Sequence, residues 1–199
     1  DLIGRVTSHP SIHVITNALV VDFSGSKGNF STGVMVAPTM YYRKIEHGIT
    51  ILATGAEEWR PTEYLYGQDP RIVTQLELEN RIAHQPNEVA QANQVVMIQC
   101  VGSRTDDRPY CSRICCSEAI KNALKLKSVS PEKNVYVLYR DIRTYGFKED
   151  YYEKAREAGV LFIRYDPERA PRLETAGDGL GVVVYEPILH DDLLIEADL

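Results

Sequence analysis

The sequence predicts an α/β fold in which a Rossmann-like three-layer unit follows a β-rich segment. From residue 95 onward, apolar runs suited to strands alternate with helical segments, in the order strand–helix–strand–helix–strand. This order implies parallel pairing with right-handed crossovers. Before residue 56, apolar β-branched runs are separated by turn residues, and this pattern is typical of neighbouring strands joined by tight turns.

The β-rich segment is predicted to contain four strands. Residues 14–23 are apolar and β-branched, and they stop at the turn sequence SGSKGN, residues 24–29. Residues 30–36 and 43–45 are further strand candidates. Residues 48–55 are predicted to form a buried strand that ends in small residues.

A loop, a short helix and a linker are predicted next. Residues 56–71 contain Pro61, Gly67 and Pro70 and are expected to form a loop. A helix is predicted over 74–83, with Thr74 as its N-cap and Glu77 completing a capping box. Residues 85–94 are polar and are expected to be a linker. The predicted domains are therefore residues 1–84, a partial domain, and residues 95–199, separated by this linker.

The second predicted domain contains three strands, two helices and a terminal β-ribbon. The strands are expected at 95–100, 135–139 and 160–163, the helices at 112–127 and 149–158, and the ribbon at 173–199. Gly159 is expected to close the second helix as a C-cap. The ribbon is expected to turn near Gly177.

Composition limits the kinds of partner. The formal net charge of −6 argues against a nucleic-acid partner, because phosphates favour a basic patch. No apolar run approaches the roughly 18 residues that a membrane span requires. The chain starts at Asp1 and stops at Leu199 within an apolar run, so we expect it to be an excised segment of a longer protein.

The four cysteines gather within 17 positions, with the spacing C-x10-C-x3-C-C: Cys100, Cys111, Cys115 and Cys116. Cys100 ends the first strand of the Rossmann-like unit, and the other three lie at the start of its first predicted helix. The fold is therefore expected to bring all four thiols to one place. On a helix, Cys111 and Cys115 would share a face, and Cys116 would be turned about 100° from Cys115.

Such a grouping favours an anionic iron–sulfur cluster. Four thiolates at a helix N-terminus suit a negatively charged group, and Arg104, Arg108 and Arg113 lie close in sequence to offset its charge. Alternatives remain open. Zinc also takes four thiolates, although adjacent cysteines are awkward ligands for one tetrahedral ion. A disulfide or dithiol pair, or plain burial of four small side chains, would explain the cysteines without a metal.

A nucleotide motif is expected at the loop after residue 100, but G-x-G-x-x-G is absent there. Gly102 is the one candidate turn glycine, and we expect no strong NAD(P) binding. Ala53, Thr54 and Gly55 form a short tripeptide that on its own is more typical of a chain corner than of a ligand site. Trp59 is interpreted as a local loop anchor, in preference to a cover for an apolar edge of the missing flavin domain.

The chain resembles the A-type subunits of heterodisulfide reductase and their relatives, including the A-type subunit of the quinone-interacting membrane-bound oxidoreductase complex. The resemblance covers nearly the whole chain. Its motifs are IQCVGSR (98–104), YCSRICC (110–116), AIKNA (119–123), DIRTYG (141–146), FIR (162–164), SGSKGNF (24–30) and ATG (53–55).

The resemblance implies a thioredoxin-reductase-like flavoprotein of the FAD/NAD(P)-binding type that passes electrons among partner subunits. It assigns Cys100, Cys111, Cys115 and Cys116 to one [4Fe–4S] cluster, and it places Ala53, Thr54 and Gly55 along FAD. It implies a cytoplasmic oxidoreductase that reaches any membrane complex only through partners. The family's N-terminal FAD loop and its later ferredoxin-like motifs are missing, so the isolated segment is expected to be inactive.

Two rival functions and one group of residues stay open. The chain would alternatively be a docking scaffold stabilised by zinc or a disulfide, or a dithiol–disulfide reductase. Arg140, Asp141 and Arg143 follow a parallel strand, at the edge where ligands usually lie. They are expected to face FAD, a partner or the cluster, or else to form a solvated loop. No catalytic residue is assigned.

Overall fold

The computed structural model describes residues 2–199, which fall into two compact units. The first ends at Ala56 and the second is Glu57–Leu199. The boundary between these compact units therefore lies before the predicted helix at 74–83.

The first unit contains a helix and a three-stranded antiparallel sheet. The helix α1, Leu2–Ser8, was not predicted from the sequence. The sheet has the order β1-β2-β3, with β1 at Ala18–Ser26, β2 at Asn29–Val36 and β3 at Tyr41–His47. The predicted turn is confirmed: a Cβ on Gly25 would lie 2.2 Å from the Asn29 carbonyl oxygen, so glycine is required there.

The strand predicted at 48–55 is wrong. This segment forms no regular secondary structure, and it pairs with no strand among residues 2–199. Ile51 and Leu52 are each 85% exposed instead of buried. A strand exists only where a neighbour accepts its backbone hydrogen bonds, and hydrophobicity alone does not supply that neighbour.

The predicted capping box opens the first helix of the second unit. Helix α2 is Gln75–His84, with Thr74 as N-cap. The Glu77 N–H donates to the Thr74 hydroxyl at 3.2 Å, and the Thr74 N–H donates to the Glu77 carboxylate at 2.9 Å. Two otherwise unpaired N–H groups are thereby satisfied, which fixes where the helix begins.

The predicted linker at 85–94 is instead largely helical. Helix α3, Pro86–Gln91, starts with proline in the first turn, a position where proline needs no N–H. Val89 and Ala92 are buried in the main core. Lys133 is buried as well, and its ammonium donates to the carbonyls of Ala90 and Ala92 near the end of α3. The segment is polar overall, but its few apolar side chains pack in the main core and hold it in place.

A parallel sheet forms the middle of the second unit. Its order is β4-β5-β6, at Gln94–Ile98, Asn134–Tyr139 and Leu161–Arg164. The crossovers contain α4, Cys115–Val129, and α5, Glu149–Glu157. Gly159 follows α5 with a φ of +79°, as expected for a helix-terminating glycine.

The tail forms a second antiparallel sheet of three strands. These are β7 at Arg172–Ala176, β8 at Gly179–Glu186 and β9 at Asp191–Glu196, in the order β7-β8-β9. The predicted turn near Gly177 joins β7 to β8, and β9 adds a third strand to the predicted ribbon.

Alternation along the parallel strands builds three layers. On β5, Val135 and Val137 pack with the helices, whereas Leu138 packs with Leu180 and Val182 of the antiparallel sheet. Because side chains alternate across a strand, both faces of the parallel sheet are covered. The α/β class is confirmed, with helices on one face and an antiparallel sheet on the other.

Parallel pairing also places the carboxyl ends of β4, β5 and β6 at one edge. The next residues along the chain are Gln99 and Cys100 after β4, and Arg140 and Asp141 after β5; Arg164 ends β6. Among residues 2–199, no helix combines the length and apolar character that a bilayer crossing demands.

Candidate metal centre

The four cysteines come from a strand end, a loop and a helix start. Cys100 follows β4 with a left-handed φ of +66°. Cys115 and Cys116 are the first two residues of α4, which has no side-chain N-cap. Cys111 lies in the preceding loop. The prediction that the helix starts near Ser112 is wrong, because Arg113 has a φ of +60° and interrupts helical geometry. Cys111 and Cys115 therefore do not share a helix face.

The four thiols lie in one neighbourhood and affect one another. A hydrogen bond to Cys116 raises the pKa of Cys115, and burial and the charges of Cys116, Cys100 and Cys111 raise it further. The same bond lowers the pKa of Cys116 to about 6 against the effect of burial, with help from Arg143 and Arg104. Cys116 is buried, and all four cysteines are free thiols.

The four thiols lie near one another but do not surround a single point. Within residues 2–199, no group of three or more His, Cys, Asp or Glu side chains is arranged to hold a single metal ion. As a thiol, Cys116 donates to the Asp141 carbonyl at 3.7 Å. The Arg113 N–H donates to the Cys111 sulfur at 3.4 Å.

Trp59 anchors the loop that follows Cys100. The Arg108 guanidinium lies over the Trp59 ring, 3.2 Å from its centroid, and donates to the Gly102 carbonyl at 3.0 Å. Gly102 has a φ of +63°, and a Cβ there would lie 2.3 Å from the Trp59 Nε1 atom. The interpretation of Trp59 as a local loop anchor is confirmed. Because Gly102 has no side chain, it leaves room for the Trp59 ring.

Arginines surround the thiols, and Asp141 links several of them. The Arg104 Nη2 atom lies 2.8 Å from the Asp141 carboxylate. Arg143 and Arg164 approach the same carboxylate at 3.8 Å and 3.9 Å. Arg140 donates to the Arg104 carbonyl at 3.1 Å. The residues after β5 therefore form a charged network beside Cys116 and are more than a solvated loop.

Several buried polar atoms beside the cysteines lack partners within the part of the chain that the structure describes. They are Arg104 Nη1, Arg140 Nε, Ser117 Oγ and Gln99 Oε1. Buried donors are normally satisfied, so such a group of them needs an explanation. Two are arginine N–H groups, and α4 adds an uncapped N-terminus with its partial positive charge. These residues fit an anionic group that is held by thiolates.

Ala53, Thr54 and Gly55 lie at the end of the first unit, outside any strand. All three are exposed. Gly55 has a φ of +71°, and a Cβ there would meet nothing within 4 Å. These residues form no cradle for a flavin within the first unit, so no chemical step is assigned to FAD here.

Tyr165 supports the site in a way that sequence reasoning missed. Its hydroxyl donates to the Gln99 carbonyl at 2.6 Å, next to Cys100. Burial raises the pKa of Tyr165, so the hydroxyl remains a donor. A tyrosine that follows a strand carries no sequence signal for this role.

The fold and the site define an α/β protein with a thiol-lined, cation-rich centre at the carboxyl edge of its parallel sheet. No family model matches the chain. Curated relatives do match it. The iron-sulfur A-type subunit of the CoB–CoM heterodisulfide reductase of Methanocaldococcus jannaschii is 40% identical over 172 residues, which is 78% of this chain and 26% of that protein.

Two further relatives are similar to the same extent of the chain. The A-type subunit of the H(2)/formate:CoB-CoM heterodisulfide,ferredoxin reductase of Methanococcus maripaludis is 38% identical. An iron-sulfur A-type subunit of the CoB–CoM heterodisulfide reductase of Methanopyrus kandleri is 36% identical. Both alignments cover 78% of this chain and 26% of the relative. The chain belongs to the family of A-type heterodisulfide reductase subunits, and it spans about a quarter of the length of these relatives.

Proposed function

We propose that the four cysteines hold one [4Fe–4S] cluster, and that this segment carries electrons within an oxidoreductase of the heterodisulfide reductase type. The ligands are Cys100, Cys111, Cys115 and Cys116. The observation that carries the proposal is the gathering of four interacting thiols beside buried arginine donors that have no other partner among residues 2–199. Two of the relatives are themselves named iron-sulfur subunits.

Each part of the fold has a task at this site. The end of β4 supplies Cys100, the loop supplies Cys111, and the start of α4 supplies two adjacent sulfurs together with a positive helix end. The arginines offset the negative charge of the thiolates. When bound, a cluster supplies one-electron transfer, while the protein supplies ligation, orientation and electrostatics.

The arrangement favours a cluster over zinc. A tetrahedral zinc ion with Zn–S bonds of about 2.3 Å requires its sulfurs to lie about 4 Å apart. Cys115 and Cys116 are adjacent in the chain, which makes it awkward for both to bind one such ion. A four-iron cluster has separate corners, so it accepts sulfurs that are further apart and tolerates adjacent cysteines.

The finer functional assignment concerns the longer protein. We place Ala53, Thr54 and Gly55 along FAD there, with electrons passing between FAD, the cluster and partner subunits. The support is the family membership. Because these three residues are exposed and unsupported in the first unit, we expect the chain to purify with little flavin.

Anaerobic purification with iron and acid-labile sulfide assays tests the proposal. We expect iron and sulfide in equal amounts, four of each per chain, together with a broad visible absorption band. Cys115→Ser should lower both amounts. The matched control is Ser128→Ala on the exposed distal part of the same helix, which should leave them unchanged.

The rival functions predict different results. One equivalent of zinc without sulfide would support the scaffold and contradict the cluster. Thiol–disulfide turnover that Cys115→Ser abolishes, with bound metal unchanged, would support the dithiol reductase.

A further inference from the structure

We propose that Arg104 raises the reduction potential of the bound cluster by holding its guanidinium cation beside the cysteine ligands, and that Asp141 is the positioning residue that holds Arg104 in place. This inference rests on the cluster proposed above. It assigns distinct roles to two residues outside the ligand set.

The backbone of Arg104 is held at both ends. Its N–H donates to the Tyr110 carbonyl at 3.3 Å, and its own carbonyl accepts from Arg140 at 3.1 Å. Its φ of +59° is left-handed, a conformation that a residue with a Cβ adopts only at a cost. The loop and the residue that follows β5 therefore aim this side chain together.

The side chain is held by Asp141 and leaves one donor free. The Nη2 atom lies 2.8 Å from the Asp141 carboxylate, and the Arg104 side chain is 21% exposed. The Nη1 atom is buried and has no partner among the described residues. A planar guanidinium that is fixed through one nitrogen presents the other in a defined direction.

The Arg104 guanidinium lies beside the thiols, because Asp141 contacts both Arg104 and Cys116. Arg108, its neighbour in the loop, lies over Trp59 instead. Asp141 links the two sides, since its carboxylate holds Arg104 and its carbonyl lies 3.7 Å from the Cys116 sulfur.

The positive charge of Arg104 determines the direction in which the reduction potential shifts. Reduction adds one negative charge to a cluster, so a fixed cation stabilises the reduced form more than the oxidised form. Hydrogen bonds to the sulfurs act in the same direction. Removal of the Arg104 cation should therefore make the potential more negative.

The test is a reductive titration of the anaerobically purified chain with redox mediators, followed by visible absorption and by electron paramagnetic resonance of the reduced cluster. Arg104→Gln should shift the midpoint to a more negative potential with iron content unchanged. The control is Arg164→Gln, since Arg164 also faces Asp141, at 3.9 Å, but its side chain is 70% exposed. The control should shift the midpoint less.

Asp141→Asn tests the positioning role in two backgrounds. In Arg104→Gln it removes the anion without releasing the Arg104 cation, which raises the potential. In the natural sequence it also releases Arg104, so the rise should be smaller or reversed. Equal shifts in the two backgrounds would show that Asp141 does not act through Arg104.

The outcomes separate this inference from the cluster proposal. Absence of iron and sulfide from the natural chain would overturn both. A complete cluster whose potential is unchanged or higher in Arg104→Gln would overturn this inference alone. If Arg104→Gln assembles no cluster, Arg104→Met takes its place, because it also removes the cation but keeps a long side chain. An unchanged or higher potential in that variant contradicts the inference.

Discussion

The two units of the chain are both built on strands, yet they bury very different amounts of apolar surface. All nine residues of β1 are exposed, and Val34 is the one buried apolar side chain described in residues 2–56. In Glu57–Leu199, helices cover one face of the parallel sheet and a second sheet covers the other. Pairing alone can form a sheet, but only a second layer creates a core.

Hydrogen exchange should show the largest difference between the units. Amides of β5, between two strands and under two layers, should exchange orders of magnitude more slowly than those of β1, because exchange from a core strand needs near-global opening. Mass spectrometry or NMR of the chain in D₂O measures both at once. Equal protection of the two strands would show that the exposed sheet is stabilised in some way that its burial does not reveal.

A core substitution should cost more than any change in the first unit. Ile120 on α4 is 1% exposed, and Ile120→Ala should lower the free energy of unfolding by about 2–5 kcal/mol. Urea unfolding followed by the fluorescence of Trp59, the single tryptophan, measures it. Leu52→Ala is the control, expected within about 0.5 kcal/mol of the natural chain because Leu52 is exposed. A neutral Ile120→Ala would refute the helix-side core.

Gly102→Ala should have a smaller but local effect. The new Cβ would collide with Trp59 and also occupy a left-handed φ. Gly67→Ala is a matched control, with a φ of +79° and open space around it. The backbone effect common to both should be about 1–2 kcal/mol. Gly102→Ala should cost more than Gly67→Ala and should also change the Trp59 emission; equal costs and unchanged emission would count against the Trp59 anchor.

The smallest expected effect is on the pH dependence of the stability that Glu77 contributes through the capping box. Burial would raise the pKa of Glu77, but hydrogen bonds from the Thr74 N–H, the Tyr66 hydroxyl and the Thr74 side chain together lower it. Its stabilising contribution is therefore present above the unfolded-state pKa and is lost as pH falls through the lower folded-state value.

Glu77→Gln should remove this dependence. The stability difference between the natural chain and the variant should be largest near neutral pH and should shrink in acid. Urea titrations from about pH 7 to about pH 3 measure it, a range that spans the usual pKa of a glutamate. A difference that stays constant over that range would mean that the Glu77 charge does not contribute.

Local signals predicted the second unit well. The capping box at Thr74 and the parallel strands each follow from patterns of a few residues. Prediction failed where distant residues decide. Residues 48–55 have the composition of a buried strand but have no neighbour to pair with among residues 2–199. Residues 85–94 resemble a linker because most of them are polar, although Val89 and Ala92 pack in the core and hold α3 in place.

The sequence by itself determined the α/β class, the four thiol positions and the family. Only the tertiary structure decided that Arg104 lies at the thiols while Arg108 lies over Trp59, and that Asp141 joins the network. The reason is geometric. Residue types and short spacings are written along the chain, whereas the direction of a guanidinium depends on a carboxylate 37 positions away that is brought near when β4 and β5 pair in parallel.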